Sequence, residues 1–326
     1  MLVSGTYFIK TPMSDIKLTI LDREDDPIFM KGDFISHLPE HSITLEQHVE
    51  TNTFDGTIIA KIPNNTTHLI MHALDRIGPN ELKQLRELVY IGICSNGWWD
   101  RYFDRAALAA RGIVVTNNPH GSREAVAEAV FTALLAELRL THLSSIKKKN
   151  AVTHPTLGKE LAGRTMGIIG LGQIGSRVAA IAHAFGMRVI STSAKAKNIV
   201  AMVSRKTFFT EAHIISLHVP RSADIVLNAI DLALLRDDAI IVNAAGFDVV
   251  DTKKISDFLR QRPSARYIHL AHLDPLPTAI VRPLPNALLY PTFASRTEES
   301  LLAMKTAVLN NLFSFIEGKT DFSRVL

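Results

Sequence analysis

Apolar residues along the chain fall into short continuous runs separated by polar or helix-spaced stretches. Such runs predict strands buried on both faces, as in a parallel sheet, alternating with helices. The first are Leu18-Thr19-Ile20-Leu21 and Thr57-Ile58-Ile59-Ala60, followed by a helical pattern over 79–88 and a buried strand over 89–93. A helix over 106–110 stops at Arg111-Gly112, ahead of a strand over 113–115. From Ser122 to about Thr141 the sequence is alanine-rich and apolar on most faces, which predicts a helix buried between domains. After a polar link over 147–159 the strand runs resume at 165–169, 188–192, 214–220, 239–243, 267–270 and 287–290. A last helix over 297–317 is expected to pack back on the first part of the chain. The rhythm predicts an α/β protein with two doubly wound domains.

The stretch Thr165 to Ala179 narrows this picture, because its apolar run breaks into Gly170-x-Gly172-x-x-Gly175 and then into a helical pattern ending near Ala184. A second strand follows after Phe185-Gly186-Met187, so the motif lies inside one β-α-β unit. In such a unit Gly170 permits the tight turn, Gly172 lets the backbone approach a pyrophosphate, and Gly175 lets helix and strand pack closely. Gln173 and Ile174 open the helix, where free N–H groups face phosphates. The expectation is a dinucleotide site.

Composition excludes several classes. The chain has 326 residues, 47% hydrophobic and 21% charged, enough for two cores. Its net charge of +4 is scattered, and the lone run Lys147-Lys148-Lys149 reads as a solvated helix end, so no nucleic-acid partner is expected. The single cysteine, Cys94, fits a reducing cytoplasm and forbids an internal disulfide framework. No apolar run is long enough to span a membrane, and 1–12, to which no structure is assigned, lacks a secretory signal pattern.

Several stretches in order resemble the D-isomer-specific 2-hydroxyacid dehydrogenases: 111–119, 125–128, 161–164 with the glycine turn, 185–187, Ser216-Leu217-His218-Val219-Pro220 and Val242-Asn243-Ala244-Ala245. The resemblance implies a Rossmann-type dinucleotide-binding domain, 121–295, inserted in a flavodoxin-like substrate domain built from 13–120 and 296–326. It implies a homodimer through the helix at Ser122. It also implies cofactor contacts at His218, Val219, Pro220, Ala244 and Ala245, with His218 structural and not catalytic. At the end of the second strand, where the family has an aspartate on the adenosine ribose, this chain has Ser193, with Lys195 and Lys197 beside it. Hydroxyl and ammonium groups suit a 2′-phosphate, so NADP is expected over NAD.

The family's chemistry needs an arginine, a histidine and a carboxylate. The positions that match them here are Gly246, Thr292 and Asp274, and only Asp274 can serve as a catalytic group. An alternative base is conceivable among His269, His272 and Asp274, with a loop-edge histidine satisfied by solvent the favoured reading; no metal site is expected. The loop Asn96-Gly97-Trp98-Trp99 is longer than the family's, and Asn96, Gly97, Trp98 and Thr292 are the expected substrate contacts. Its tryptophans fit a bulky or planar ligand, or pack beneath the loop, and Arg101 is the nearest cation. Two functions stay open: an oxidoreductase acting on a larger carbonyl-type substrate, and a non-catalytic sensor or scaffold that uses the nucleotide only as a ligand.

Overall fold

The structure, a computed structural model, describes residues 16–23, 28–30, 32–35, 42–48, 57–72, 76–95, 103–118, 121–140, 157–193, 195, 198–220, 224–271, 273–290 and 294–323. The chain divides into two compact units, Met1–Gly121 with Leu301–Leu326, and Ser122–Ser300.

The first unit carries β1 (Lys17–Arg23), α1 (Gly32–Ile35), β2 (Ser42–His48), β3 (His68–Met71), α2 (Pro79–Gln84), β4 (Tyr90–Ile93), α3 (Arg105–Ala110) and β5 (Val114–Thr116). Its five strands are all parallel, in the order β2-β1-β3-β4-β5. That is the flavodoxin-like order. The run 57–60, expected as a strand, is instead a turn of 3-10 helix over Ile59–Lys61, closed by Lys61 N to Ile58 O and Ile62 N to Ile59 O, each at 3.0 Å. Ile58, Ile59 and Ile62 are buried all the same. Continuous apolarity reports burial, and in a run this short it does not separate strand from turn. The strand of this region is β3, which the apolar pattern did not mark, and β2 was likewise unmarked.

The second unit holds α4 (Arg123–Leu138), β6 (Thr165–Ile169), α5 (Gln173–Ala184), β7 (Arg188–Ser191), β8 (Val200–Met202), α6 (Arg205–Glu211), β9 (Ile214–Leu217), α7 (Ala229–Leu234), β10 (Ile240–Asn243), α8 (Thr252–Gln261), β11 (Arg266–His269), α9 (Pro275–Val281) and β12 (Ala287–Leu289). Its seven parallel strands run β12-β11-β10-β9-β6-β7-β8. Neighbouring residues on a strand point to opposite faces. Accordingly Ile214, Ile240 and Ile268 enter one core layer, and Ile215, Ile241 and Tyr267 the other. The alanine-rich helix α4, expected between domains, buries Val130, Phe131 and Leu134 in the first of these layers, within the second unit's own core. Arg266 on β11 reaches it, with Nε donating to Glu137 Oε1 at 2.7 Å. Edge strand β8 lies in the apolar run 199–203, which was not marked as a strand.

The last helix, α10 (Glu298–Ile316), packs on the first sheet: Val308 and Leu312 are buried with Leu18, Ile20 and Tyr90. The helix and the chain beyond it are both pinned to the end of β5, because Asn311 Nδ2 in the helix donates to Asn117 O at 2.8 Å and Ser323 Oγ past it donates to Asn117 Oδ1 at 2.6 Å.

Gly167 lies in the middle of β6, and a Cβ there would fall 2.6 Å from Phe208 Cζ and 3.2 Å from Ala212 Cβ. Gly167→Ala is therefore expected to lower unfolding stability by about 1–3 kcal/mol through overpacking. Urea denaturation checks this, and an unchanged midpoint would mean that Phe208 swings clear.

Candidate dinucleotide-binding site

In the seven-stranded sheet the strand order reverses between β6 and β9. Open parallel sheets bind ligands in the crevice outside the carboxyl ends of the strands at such a reversal. The glycine turn leaves β6 there. Gly170 has φ +95°, and a Cβ on it would lie 2.4 Å from His218 O at the end of β9. A Cβ on Gly175 would lie 1.9 Å from Gly170 O, so helix and turn meet backbone to backbone. Around Gly172, in contrast, nothing lies within 4 Å of where a Cβ would stand. The two outer glycines are demanded by contact, and the middle one faces open, solvent-exposed space. The first intrahelical bond of α5 is Ser176 N to Gly172 O at 3.0 Å, which leaves the N–H groups of Gln173 and Ile174 ahead of the ladder. This geometry fits the pyrophosphate of a dinucleotide.

Beside the turn, His218 places Nε2 2.7 Å from Ser216 Oγ. Its Nδ1 is fully enclosed and has no hydrogen-bond partner among the described residues. Burial pushes its pKa down to about 4. The ring is thus neutral near pH 7 and gives the turn no fixed charge. Val219 is half-buried and Pro220 exposed. On β7, Ser191 Oγ donates to Ile168 O at 2.8 Å and accepts from Ser193 N at 3.2 Å, while Ser193 Oγ accepts from Lys195 N at 3.2 Å. These links order the chain just past the strand, leaving Ser193 half-buried and Lys195 exposed.

At the end of β10, Asn243 forms a clamp. Its Oδ1 accepts from Ala245 N at 2.9 Å and Gly246 N at 3.0 Å, and its Nδ2 donates to Gly246 O at 2.8 Å and Tyr267 Oη at 2.9 Å. Ala245 is buried and Ala244 half-buried. Gly246 is buried with φ +119°, a conformation that residues with side chains rarely adopt. The signal that could have exposed this clamp is an asparagine closing a strand three residues before a glycine, an Asx-type turn.

Residues 131–291 match the family model described as D-isomer specific 2-hydroxyacid dehydrogenase, NAD binding domain. The glyoxylate reductase of Aeropyrum pernix is 31% identical over 264 residues, spanning 75% of this chain and 78% of that protein. The chain belongs to this dehydrogenase family. The glycerate dehydrogenase of Methylorubrum extorquens is 27% identical across 93% of the chain and 97% of its own length. Among solved structures, an acyclic imino acid reductase in complex with NADPH and D-Arg superposes with a TM-score of 0.79 at 25% identity, covering 95% of this chain and all of that one (100%).

The three positions that the resemblance matches to the family's arginine, carboxylate and histidine stand as follows. Gly246 is the clamped glycine just described. Asp274 is half-buried at the N-cap of α9. Thr292 lies outside the described residues, as do Asn96, Gly97, Trp98, Trp99, Arg101, His272 and Lys197. His269, one of the alternative bases, is a core residue: it is 0% exposed, stacks on Phe247 with centroids 3.9 Å apart, and sets Nδ1 3.2 Å from Tyr267 Oη. It is closed to substrate because the β11 register points it into the sheet's packed face. Among the described residues no cluster of three or more His, Cys, Asp or Glu is arranged to hold a metal, and no helix is long and apolar enough to cross a membrane.

The depressed His218 pKa has a stability consequence. Unfolded, the ring titrates near its ordinary value of about 6.5; folded, it stays neutral down to about 4. Between these values the unfolded state binds the extra proton, so this contribution is present in full above about 6.5 and is lost as pH falls toward 4. Relative to His218→Asn, the wild type is expected to lose on the order of 1–3 kcal/mol across that window. Thermal midpoints of both proteins measured at several pH values check it, and parallel profiles would refute it.

Proposed function

We propose that this chain is an NADPH-preferring oxidoreductase of the 2-hydroxyacid dehydrogenase family with an altered active site, acting on a substrate larger than the small 2-keto acids, with a carbonyl or imine as the group reduced. The carrying observation is the contrast between two glycines. Gly172 opens space where a pyrophosphate would approach, while Gly246 closes with φ +119° the position that would carry the family's arginine. A side chain at 246 would be strained at that φ, so the absence of the cation goes with the backbone conformation. At the position of the family's histidine stands Thr292, whose hydroxyl does not exchange protons near neutral pH. Asp274 is the one group retained among the three positions.

In this reading Gly170, Gly172, Gln173, Ile174 and Gly175 receive the pyrophosphate, and His218, Val219, Pro220, Ala244 and Ala245 line the nucleotide. Ser193 and Lys195 take the adenosine 2′-phosphate. The bound nicotinamide would supply hydride. That the imino acid reductase was solved with NADPH and D-Arg supports both the phosphorylated cofactor and a substrate of some size. Asn96, Gly97, Trp98 and Thr292 remain the proposed substrate contacts. A homodimer in the cytoplasm, with 121–295 as an insertion in a substrate domain formed by 13–120 and 296–326, completes the proposal. The rival is a non-catalytic nucleotide sensor.

Fluorescence titration is expected to give a lower Kd for NADPH than for NADH, with the difference shrinking in Lys195→Ala; equal constants would refute the cofactor preference. Gly172→Val, which fills the open space at the turn, is expected to weaken NADPH at least tenfold, about 1.4 kcal/mol, with little change in unfolding stability. Normal binding by that variant would mean that the turn receives no phosphate.

Glyoxylate, hydroxypyruvate and pyruvate are expected to be reduced barely above background, because the absence of a general acid alone costs about 10²–10⁴-fold. A steady-state assay with NADPH decides it, and robust turnover of any of the three would overturn the altered-site reading. If NADPH binds and no carbonyl or imine compound in a broad panel is reduced, the sensor takes its place.

A further inference from the structure

Helices α2 and α3 each bury a leucine, Leu82 and Leu108, in one core cluster of the first unit, and an open cavity of about 490 Å³ lies between them. Pro79, Leu82 and Ala107 form its apolar wall, and Lys83, Arg86 and Arg111 its polar one. That volume falls within the roughly 300–1,000 Å³ of small-molecule sites. Every charged group in the lining is a cation.

These three charges stay uncompensated by any carboxylate among the described residues. The Arg111 guanidinium closes the end of α2, donating from Nη1 to Leu82 O at 2.7 Å and from Nη2 to Leu85 O at 2.7 Å and Arg86 O at 2.8 Å. Its acceptors are neutral carbonyls, so the group is fixed in place with its charge intact, and two of its five N–H groups have no partner among the described residues. Arg86 Nε reaches only the carbonyl of Lys83, at 3.4 Å, and the Lys83 ammonium has no partner among the described residues. The neighbouring carboxylates are engaged elsewhere: Glu81 Oε2 accepts from Gly78 N at 2.8 Å, Asp104 Oδ1 accepts from Ala107 N at 3.0 Å, and Glu87 pairs with Lys17 at 3.5 Å. Like charges gathered round one cavity repel, and a multivalent anion between them turns that repulsion into attraction.

We propose that this cavity binds a phosphate monoester with an apolar body, the phosphate held among Lys83, Arg86 and Arg111 and the body laid against Pro79, Leu82 and Ala107. Three cationic groups outnumber the two oxygens of a carboxylate. They match a monoester, whose three terminal oxygens carry close to two charges near pH 7. The arginines supply planar forks that suit phosphate oxygens, and the lysine a point charge on a flexible stem. The apolar wall gives an ester contacts that free inorganic phosphate lacks. All six residues belong to the first unit and none to the glycine turn, so the site is separate from the dinucleotide site and does not depend on the oxidoreductase reading.

The test follows the methyl signals of the full chain, labelled at leucine and alanine methyl groups, during titration with phenyl phosphate. The Leu82 and Ala107 signals, assigned by their loss in Leu82→Met and Ala107→Ser, are expected to shift saturably with one Kd. The double variant Lys83→Gln, Arg86→Gln, at two exposed positions, is expected to raise that Kd at least tenfold with the thermal midpoint unchanged. Inorganic phosphate is expected to bind at least tenfold more weakly than phenyl phosphate. Silence at Leu82 and Ala107 overturns the proposal, whether or not Leu171 at the glycine turn responds. A Kd that the double variant leaves unchanged also overturns it, as does inorganic phosphate binding as tightly as the ester. If the double variant does not fold, the wild-type shifts and the comparison of the two phosphates decide in its place.

Discussion

The second unit depends on a place where there is no room for a side chain. Gly175 approaches Gly170 so closely that an added Cβ would stand 1.9 Å from the carbonyl oxygen, and Gly170 in turn presses on the backbone of His218. This three-way contact ties β6, α5 and the end of β9 together at the reversal of strand order. Alanine at 175 would push the helix from the turn, and alanine at 170 would push the turn from the end of β9. Because the sheet is parallel and covered on both faces, every strand delivers its carboxyl end to the same edge, and the chemistry of the unit gathers there.

That edge also carries the turn at Gly246. Asn243 spends all of its amide on the turn: its oxygen receives Ala245 N and Gly246 N, and its nitrogen serves Gly246 O and the phenol of Tyr267. Tyr267 and His269 continue the network into the core, where burial lifts the Tyr267 pKa and Phe247 covers the imidazole. The turn is therefore stabilised from beneath, and a side chain at 246 would conflict with a positive φ.

Much of this organisation could be read in the chain itself. The glycine turn, the strands from β6 to β12 other than β8, and the long alanine-rich helix stood out because buried parallel strands are continuous apolar runs and the turn needs glycine at fixed spacing. Three strands went unmarked and one run was misread. β3 and β8 lie in the apolar runs 69–71 and 199–203, β2 alternates Ile43 and Leu45 with polar residues, and the 57–60 run is apolar because it is buried, not because it is extended. Pair chemistry was less legible still. Nothing in the sequence joins Asp22 to His72, fifty positions apart, whose Oδ1 and Nδ1 lie 2.7 Å from each other in the fold, since their meeting is set by which strands are neighbours, and His269 reads the same as an accessible histidine until its register on β11 is known.

The pinning of 311–323 to Asn117 bears on how the molecule is made. The second unit is one continuous stretch, complete once Ser300 has left the ribosome. The first is not: its core includes Val308 and Leu312, and the end of β5 waits for Asn311 and Ser323. During translation β1 to β5 emerge first yet stay without the helix that covers them, exposing Leu18, Ile20 and Tyr90 while about two hundred further residues are added at about 5–20 per second. Strands β1 to β5 thus close later than the continuous unit made after them, on the order of ten seconds or more after they emerge.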